Sequence, residues 1–578
     1  MLGKLLKYLK GYGKESVLGP LFKLLEATFE LFVPLVIASM IDSGIKTENT
    51  GYIWLMGGLL LLLGVVGLAF SITAQYFAAR AAVGTSARIR EALFDRVTRL
   101  SARQLDKSGV AALTQRLTGD VDQVQNGINL TLRLLLRSPF VVFGAMIMAF
   151  IVDPGSAWIF AAAIPVLAAL VFGVMAASLP LFRSSQAAMD GAMAITREIL
   201  TGARVIRAFG REDDEDKRFT DQAQLLNERR RNAGRVSALT GPLTCIVVNL
   251  ALVFLIRTGA LRVETGVITQ GQLVALVNYL SQILVELVKF ANLIVSITKA
   301  LACFGRVQSV IELPFDAPGD ETMRVIDDAG GVIVSFENVT FTYPGAGAPS
   351  LTDVSFKARR GETIGIVGPT GSGKTSIAQL IARFYDATEG TVTMFGKDVK
   401  TLSSDEIRKR IGLVEQKTLL FSGSILENVR WGKTDADVNE VNEALAGAQG
   451  ADIVKAKADG LNADVGQGGR ALSGGQRQRI SIARALVRKP DILILDDSAS
   501  ALDFATDARL RAAIRAMQGK STVFIIAQRA SSVRHADRIL VMDEGSVVSV
   551  GTHDTLMQEC ELYKEIYFSQ FPEGEAYV

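Results

Sequence analysis

The chain is 578 residues long, with 49% hydrophobic and only 21% charged residues, and its 62 Lys and Arg against 59 Asp and Glu leave it at +3. That balance excludes a disordered chain, which needs low hydrophobicity and high charge, and so small a net charge gives no support to a nucleic-acid partner. Three cysteines far apart (Cys245, Cys303, Cys560) and two histidines (His535, His553) supply neither a disulfide framework nor a Cys/His metal cluster.

Residues 1–300 carry long apolar runs, whereas 331–578 read as a soluble α/β protein. The opening MLGKLLKYLKGYGK is basic and amphipathic. An interfacial helix leading into a span fits it better than a cleaved signal peptide, because no small-residue cleavage site follows. A span needs about 20 mostly apolar residues. Six candidates occur, near 17–41, 53–80, 129–152, 156–180, 238–261 and 270–300, the clearest being the uncharged run from Trp54 to Phe70. The segments 42–52, 153–155 and 262–269 between them are short, while 81–128 and 181–237 are long and charged, the second with Arg229, Arg230 and Arg231 in a row. The positive-inside tendency puts the long loops, and with them both termini, in the cytoplasm. Helical periodicity persists through ARIREALFDRVTRLSARQL, where Ile89, Leu93 and Val97 recur at four-residue steps, so the spans are expected to run on as cytoplasmic helices.

Charges inside spans are costly and face an aqueous path or a partner. Here they include Glu26, Glu30, Arg133, Arg137, Arg257, Glu286 and Lys289. Arg133 and Arg257 can snorkel to an interface. For Glu26, Glu30 and Glu286 two readings stand: lining a substrate cavity, or ion pairing within the bundle.

The second half opens after a linker, PFDAPGDETMRVIDDAGG at 314–331. The apolar strand GETIGIVG runs into Gly368, Pro369, Thr370, Gly371, Ser372, Gly373, Lys374 and Thr375, followed by the helix-forming segment that starts at Ser376. This is G-x-x-x-x-G-K-[ST] between a strand and a helix. Its glycines let backbone N–H groups close around phosphate, the helix N-terminus adds a positive dipole end, Lys374 is placed to reach the β- and γ-phosphates of ATP, and Thr375 to bind Mg²⁺. Downstream, DILILDD is a buried strand ending in Asp496, expected at Mg²⁺, and Asp497, where a water-activating base belongs. Between them Leu472, Ser473, Gly474, Gly475 and Gln476 precede a periodic helix. A second anion-binding helix start in one domain suggests a second nucleotide, approached from the other side.

These motifs resemble the nucleotide-binding domain of ATP-binding cassette proteins, whose signature is LSGGQ. The resemblance implies that Tyr343 stacks on adenine, that Gln416 is the Q-loop residue contacting Mg²⁺ and the transmembrane domain, and that Ser500 to Asp503 form the D-loop. ADVGQGG is similar to the exporters' X-loop, with Gln467 where Glu is usual. LDKSGVAALTQRLTGDVDQVQN and REILTGARVIRAFGREDDEDKRF resemble the exporters' intracellular loops, which places coupling helices near Val110–Leu117 and Thr201–Ala208. The implied fold is a membrane all-α six-helix exporter domain (1–313), a linker (314–331) and an α/β P-loop nucleotide-binding domain with a helical subdomain (332–578). Such a chain is a half-transporter, multi-pass in a bacterial cell membrane with its cassette in the cytoplasm. Its implied partners are a second half-transporter, membrane lipid and an amphiphilic substrate.

Two positions depart from the pattern. Asp497 stands where Glu is usual, and Gln528, in IIAQR, where His is usual. Asp is one methylene shorter, and proton abstraction needs hydrogen-bond reach. Gln carries no titratable proton. Together they predict a degenerate site that binds ATP and hydrolyses it slowly; the family's head-to-tail cassettes then imply that the intact signature completes a competent site on a different chain, a pairing that resembles the heterodimeric bacterial multidrug exporters. The alternatives are a weakly active homodimeric exporter and an ATP-gated regulatory or channel-like subunit.

Overall fold

The computed structural model describes residues 2–314, 331–498, 502–516 and 521–570. The linker apart from Pro314 and Gly331, and Ser500 of the expected D-loop, therefore lie outside the described residues. The chain divides into two compact units, one of Met1–Thr98 with Ala111–Leu313, the other of Pro314–Val578 with Arg99–Val110. The division falls between Leu313 and Pro314, with a short piece of the first cytoplasmic loop grouped with the second unit.

The first unit is all helical. Its elements are α1 (Leu2–Leu9), α2 (Gly13–Met40) and α3 (Thr50–Thr98), then, past the short α4 (Ala102–Ser108) of the second unit, α5 (Val110–Gln115), α6 (Val121–Leu134), α7 (Arg137–Val152), α8 (Pro154–Ala208), α9 (Glu212–Ala238), α10 (Thr240–Glu264) and α11 (Gln270–Ile311). Among the described residues, six continuous or near-continuous helical stretches are long and apolar enough to cross a membrane. At 1.5 Å per residue, α3 with 49 residues and α8 with 55 are about 74 and 83 Å long, far beyond a hydrocarbon core of about 30 Å. The excess is the predicted cytoplasmic extension. Lipid-facing positions of α3 expose Trp54, Leu55, Leu61, Val65 and Leu68.

Helices α2 and α3 approach closely because small residues meet: Ala27, Ala74, Ala78, Ala81 and Ala82 are buried, and a Cβ on Gly19 would touch the backbone of Ala78. Aspartates fix helix ends. Asp153 accepts the Ser156 N–H at 2.9 Å and pairs with Arg262 at 2.6 Å. Asp42 accepts the Gly271 N–H at the start of α11. A π-turn over Arg116–Asp120 presents Asp120 to Arg306 near the far end of α11, at 2.9 and 2.6 Å.

A helix does form at the expected place, α5 at Val110–Gln115, but it is not isolated, because it runs on through the Arg116–Asp120 π-turn into α6. A further short helix, α4, begins eight residues before Val110, just after a turn at Arg99. Ser101 and Gln104 form a reciprocal capping box at its start, and Gly109, at φ +73°, ends it. At Thr201–Ala208 no separate helix forms. Those residues close α8, and the chain turns at Phe209 and Gly210, leaving Leu200, Val205 and Phe209 exposed.

The second unit contains two sheets. Strands β1 (Val332–Phe341), β2 (Leu351–Arg359), β4 (Glu389–Met394) and β5 (Lys397–Asp398) form an antiparallel sheet in the order β2-β1-β4-β5. The other, ordered β10-β9-β3-β8-β7-β6, uses β3 (Thr363–Val367), β6 (Ile411–Val414), β7 (Ile492–Asp496), β8 (Thr522–Ile526), β9 (Arg538–Asp543) and β10 (Ser546–Gly551). It is parallel except for β10. Strands β3 and β7 are buried at every position, which is why TIGIV and ILILD read as unbroken apolar runs rather than alternation. One core joins both sheets with the helix α12 (Lys374–Ile381). A second core, from Ile425 through Leu486, is the helical subdomain packed against β6 and β7.

Candidate nucleotide-binding site

The carboxyl ends of β3, β7 and β8 converge on a cleft of about 300 Å³ lined by Tyr343, Thr370, Gly371, Gly373, Lys374, Thr375, Ser376, Gln416, Asp496, Asp497 and Gln528. Residues separated by 185 positions in sequence are thus gathered as the motifs required (Tyr343 to Gln528). The loop before α12 has a shape only glycine permits. Gly373 has φ +89°, and a Cβ on Gly368 would lie 2.2 Å from the Met542 carbonyl oxygen. Lys374 is buried, and its Nζ donates to the carbonyls of Gly368 and Pro369 at 2.8 and 2.6 Å. Burial pushes its pKa down, while Asp496 and Asp497 pull the other way. An ammonium curled over its own loop at the start of α12 is a cation poised for an anionic ligand.

Thr375 Oγ1 donates to Asp496 Oδ1 at 3.3 Å. This hydroxyl and carboxylate form a hard-oxygen pair at the cleft floor, and such donors fit Mg²⁺, which takes one or two protein oxygens beside phosphates and water. Burial raises the Asp496 pKa, and a bound cation would reverse that direction. Asp497 sits at φ +46°, its N–H bonded to the Ile526 carbonyl at 2.8 Å. A short polar side chain tolerates this left-handed backbone better than a longer one. Its carboxylate accepts from Gln416 Nε2 at 3.3 Å, and burial raises its pKa.

Tyr343 is half-buried, with its hydroxyl donating to Gln379 Oε1 at 2.7 Å and 3.2 Å from Ser376 Oγ. Its ring packs edge-on against Phe341 and Tyr385, centroids 4.7 and 5.2 Å away. Tyr385 in turn donates its hydroxyl to Asp106 of α4, and Ala102 of the same helix packs on the adjoining core. Burial and Asp106 together push the Tyr385 phenol up. Gln379 and Tyr385 carry no motif, and Asp106 lies in the first intracellular-loop segment without a role read for it, so sequence reasoning missed all three. The capping box at Ser101 was the readable trace of α4.

The signature residues stand apart from this cleft. Leu472 is buried, Ser473 and Gly474 are exposed, and Gly475 and Gln476 enter the helix Gly474–Leu486. Ser473 Oγ caps the Gln476 N–H at 3.3 Å, and Gln476 Oε1 returns a bond to the Ser473 N–H at 2.9 Å. The result is an exposed helix start offering N–H groups outward. Asp503, of the expected D-loop, caps the helix Phe504–Arg515 through Thr506.

In the apolar unit the three glutamates are all paired. Arg137 bridges Glu286 at 2.6 Å and Glu30 at 2.5 Å, Ser138 and Lys289 also hold Glu286, and Lys23 pairs with Glu26. The pairing alternative therefore describes Glu286, which is 3% exposed. The Glu30 side chain keeps 40% exposure.

Comparison with known proteins matches this architecture. Residues 16–287 match the family model described as ABC transporter transmembrane region, and 351–500 the one described as ABC transporter. An uncharacterized ABC transporter ATP-binding protein of Mycobacterium tuberculosis is 35% identical over 99% of this chain and 98% of its own length. YfiB of Bacillus subtilis, described in the same words, is 36% identical over 98% of both chains. The ATP-dependent lipid A-core flippase of Escherichia coli is 28% identical over 95% of this chain and 94% of that one. A bacterial Atm1-family ABC exporter solved with ATP bound shares the fold, with a TM-score of 0.82 at 24% identity, over 98% of this chain and 99% of that one.

Proposed function

Because the chain belongs to the ABC transporter family, as an exporter-type half-transporter, we propose that it is one subunit of a heterodimeric ATP-driven exporter of amphiphilic compounds. Members of this family are ATP-hydrolysing transporters. In the proposed assembly this chain's own cleft holds ATP and turns it over slowly, and its Ser473–Gly474 helix start completes the partner's competent site. The observation that carries the reading is the joint presence of Asp497 and Gln528 on one cleft. Asp497 has the shorter carboxylate, and Gln528 can donate a hydrogen bond but cannot relay a proton.

Lys374 and the loop N–H groups would bind the phosphates, Tyr343 the adenine, and Thr375, Asp496 and Gln416 would hold Mg²⁺. That ion would neutralise phosphate charge. The exposed apolar side chains of Leu200, Val205 and Phe209 at the second cytoplasmic turn support docking on a partner's cassette, since such a patch on a charged hairpin is costly in water. The lipid-handling relative supports an amphiphilic substrate.

The test is direct. Purified alone, the chain should show little ATPase activity, and co-expression with its partner half-transporter should restore it. Robust hydrolysis by a verified homodimer would overturn the heterodimer reading and favour a homodimeric exporter. Uphill vesicle transport by the pair separates a pump from an ATP-gated channel.

The Tyr385–Asp106 bond gives a second expected result. Tyr385→Phe removes the hydroxyl and keeps the ring against Tyr343. ATP affinity should hold while transport per ATP falls several-fold in proteoliposomes, because a hydrogen bond to a charged group is among the stronger ones, about 1.5–3 kcal/mol, and this one is half-buried. Unchanged coupling would assign α4 no part in transmission.

A further inference from the structure

The loop that carries Gln528 is held from outside the motifs. Gln570 follows the helix Glu561–Phe568, and its side-chain amide grips that loop at two points. Its Nε2 donates to the Gln528 carbonyl at 2.9 Å, and its Oε1 accepts the Ala530 N–H at 2.9 Å. An amide bonded to the C=O of one residue and the N–H two residues on imitates a strand neighbour, so it fixes the backbone on both sides of Arg529. From the opposite direction the Ala527 N–H bonds the Ile366 carbonyl of β3. The loop is pinned between the central sheet and the C-terminal helix.

That helix is itself firmly seated. Tyr563 is fully buried, its hydroxyl 2.9 Å from His553 Nδ1, in a core that also contains Ala527 and Val367, the residue before Gly368. One small core thus joins the C-terminal helix to the Gln528 loop and to the root of the phosphate loop.

We propose that Gln570 is a positioning residue that sets the placement of Gln528 over the cleft, and with it how long this chain retains ATP. The inference rests on the reading of this cleft as an ATP site that turns over slowly. Gln570 is exposed and its contacts to the loop are to backbone, so its removal should leave the fold intact and free the loop. Gln570→Glu keeps the acceptor for the Ala530 N–H and loses the donor to Gln528, and should behave as an intermediate.

The experiment uses the full-length chain with its partner, the partner's P-loop lysine replaced so that only this cleft binds. Dissociation of a fluorescent ATP analogue is followed by stopped flow. Gln570→Ala should release it about five- to tenfold faster, the low end of what two ordinary hydrogen bonds are worth, with the nucleotide-free melting midpoint unchanged. In a Gln528→Ala background the same change should have little effect, because no side chain remains to be positioned. Unchanged release in Gln570→Ala, or the same acceleration with and without the Gln528 side chain, overturns the proposal. Single-turnover phosphate release from this cleft is recorded alongside. Fast release there would refute slow turnover, while a Gln528-dependent effect of Gln570 on retention would still stand.

Discussion

Gly474→Asp should abolish steady-state ATP hydrolysis by the assembled exporter, whereas Lys374→Ala should lower it only in part. The two residues lie in one chain but serve different sites in the proposed dimer. Gly474 begins an exposed helix next to Ser473, where N–H groups would meet the γ-phosphate held by the partner. Donors aimed at charge that develops in the transition state are typically worth about 10²–10³-fold in rate each. An aspartate there sets an anion against the phosphate. It does not harm the helix, since acidic residues in a first turn favour the macrodipole, so lost turnover would report the site and not the fold. Lys374 belongs to the cleft with Asp497 and Gln528. Its loss should weaken ATP binding and closure while the competent site keeps residual turnover. ATPase rates of co-purified pairs decide the matter. If Lys374→Ala is as damaging as Gly474→Asp, this chain's cleft is catalytic and the degenerate reading fails. Asp497→Glu with Gln528→His should raise turnover only when the partner's signature is intact. The φ of +46° at Asp497 limits that gain, because the longer side chain fits a left-handed backbone less easily.

What the sequence disclosed and what it hid follow from the length scale of each constraint. Phosphate binding demands glycine, lysine and a hydroxyl within eight residues, so the Gly368–Thr375 loop was legible and the structure forms it at the end of β3. A bilayer demands about 20 apolar residues, so six spans were legible too. Helix α4 has seven residues, too few for periodicity to show, and only its capping residues marked it. The Tyr385–Asp106 bond spans 279 residues, the Gln570–Gln528 bond 42 and the Arg137–Glu286 pair 149. Side-chain pairings at such separations leave no local pattern. The sequence could say that Glu286 and Arg137 are costly inside a membrane, but not that each is the other's answer.

Arg137→Met should therefore destabilise the protein strongly, and Arg137→Met with Glu286→Met much less than the sum of the single changes. Arg137 opens α7 after a break at Leu135–Leu136 and joins that helix to Glu30 on α2 and Glu286 on α11. Removing one member of a buried pair leaves an uncompensated charge, at a cost of about 3–5 kcal/mol, whereas replacing both by apolar side chains of similar volume is often nearly neutral. Glu286 would keep Ser138 and Lys289 after the loss of Arg137, which places that variant at the lower end. Arg137 would keep Glu30 after Glu286→Gln. Because the groups share partners, the effects should be strongly non-additive. The measurement is the midpoint of heat-induced loss of the monodisperse peak in detergent for each single and the double variant, beside transport in vesicles. Small, additive shifts would show that the pairing holds nothing together. An altered substrate range at unchanged stability would instead return these glutamates to the substrate path. Glu30, with its 40% exposed side chain, is the one placed to show that outcome, because a carboxylate oxygen not held by Arg137 remains free to meet a cationic head group.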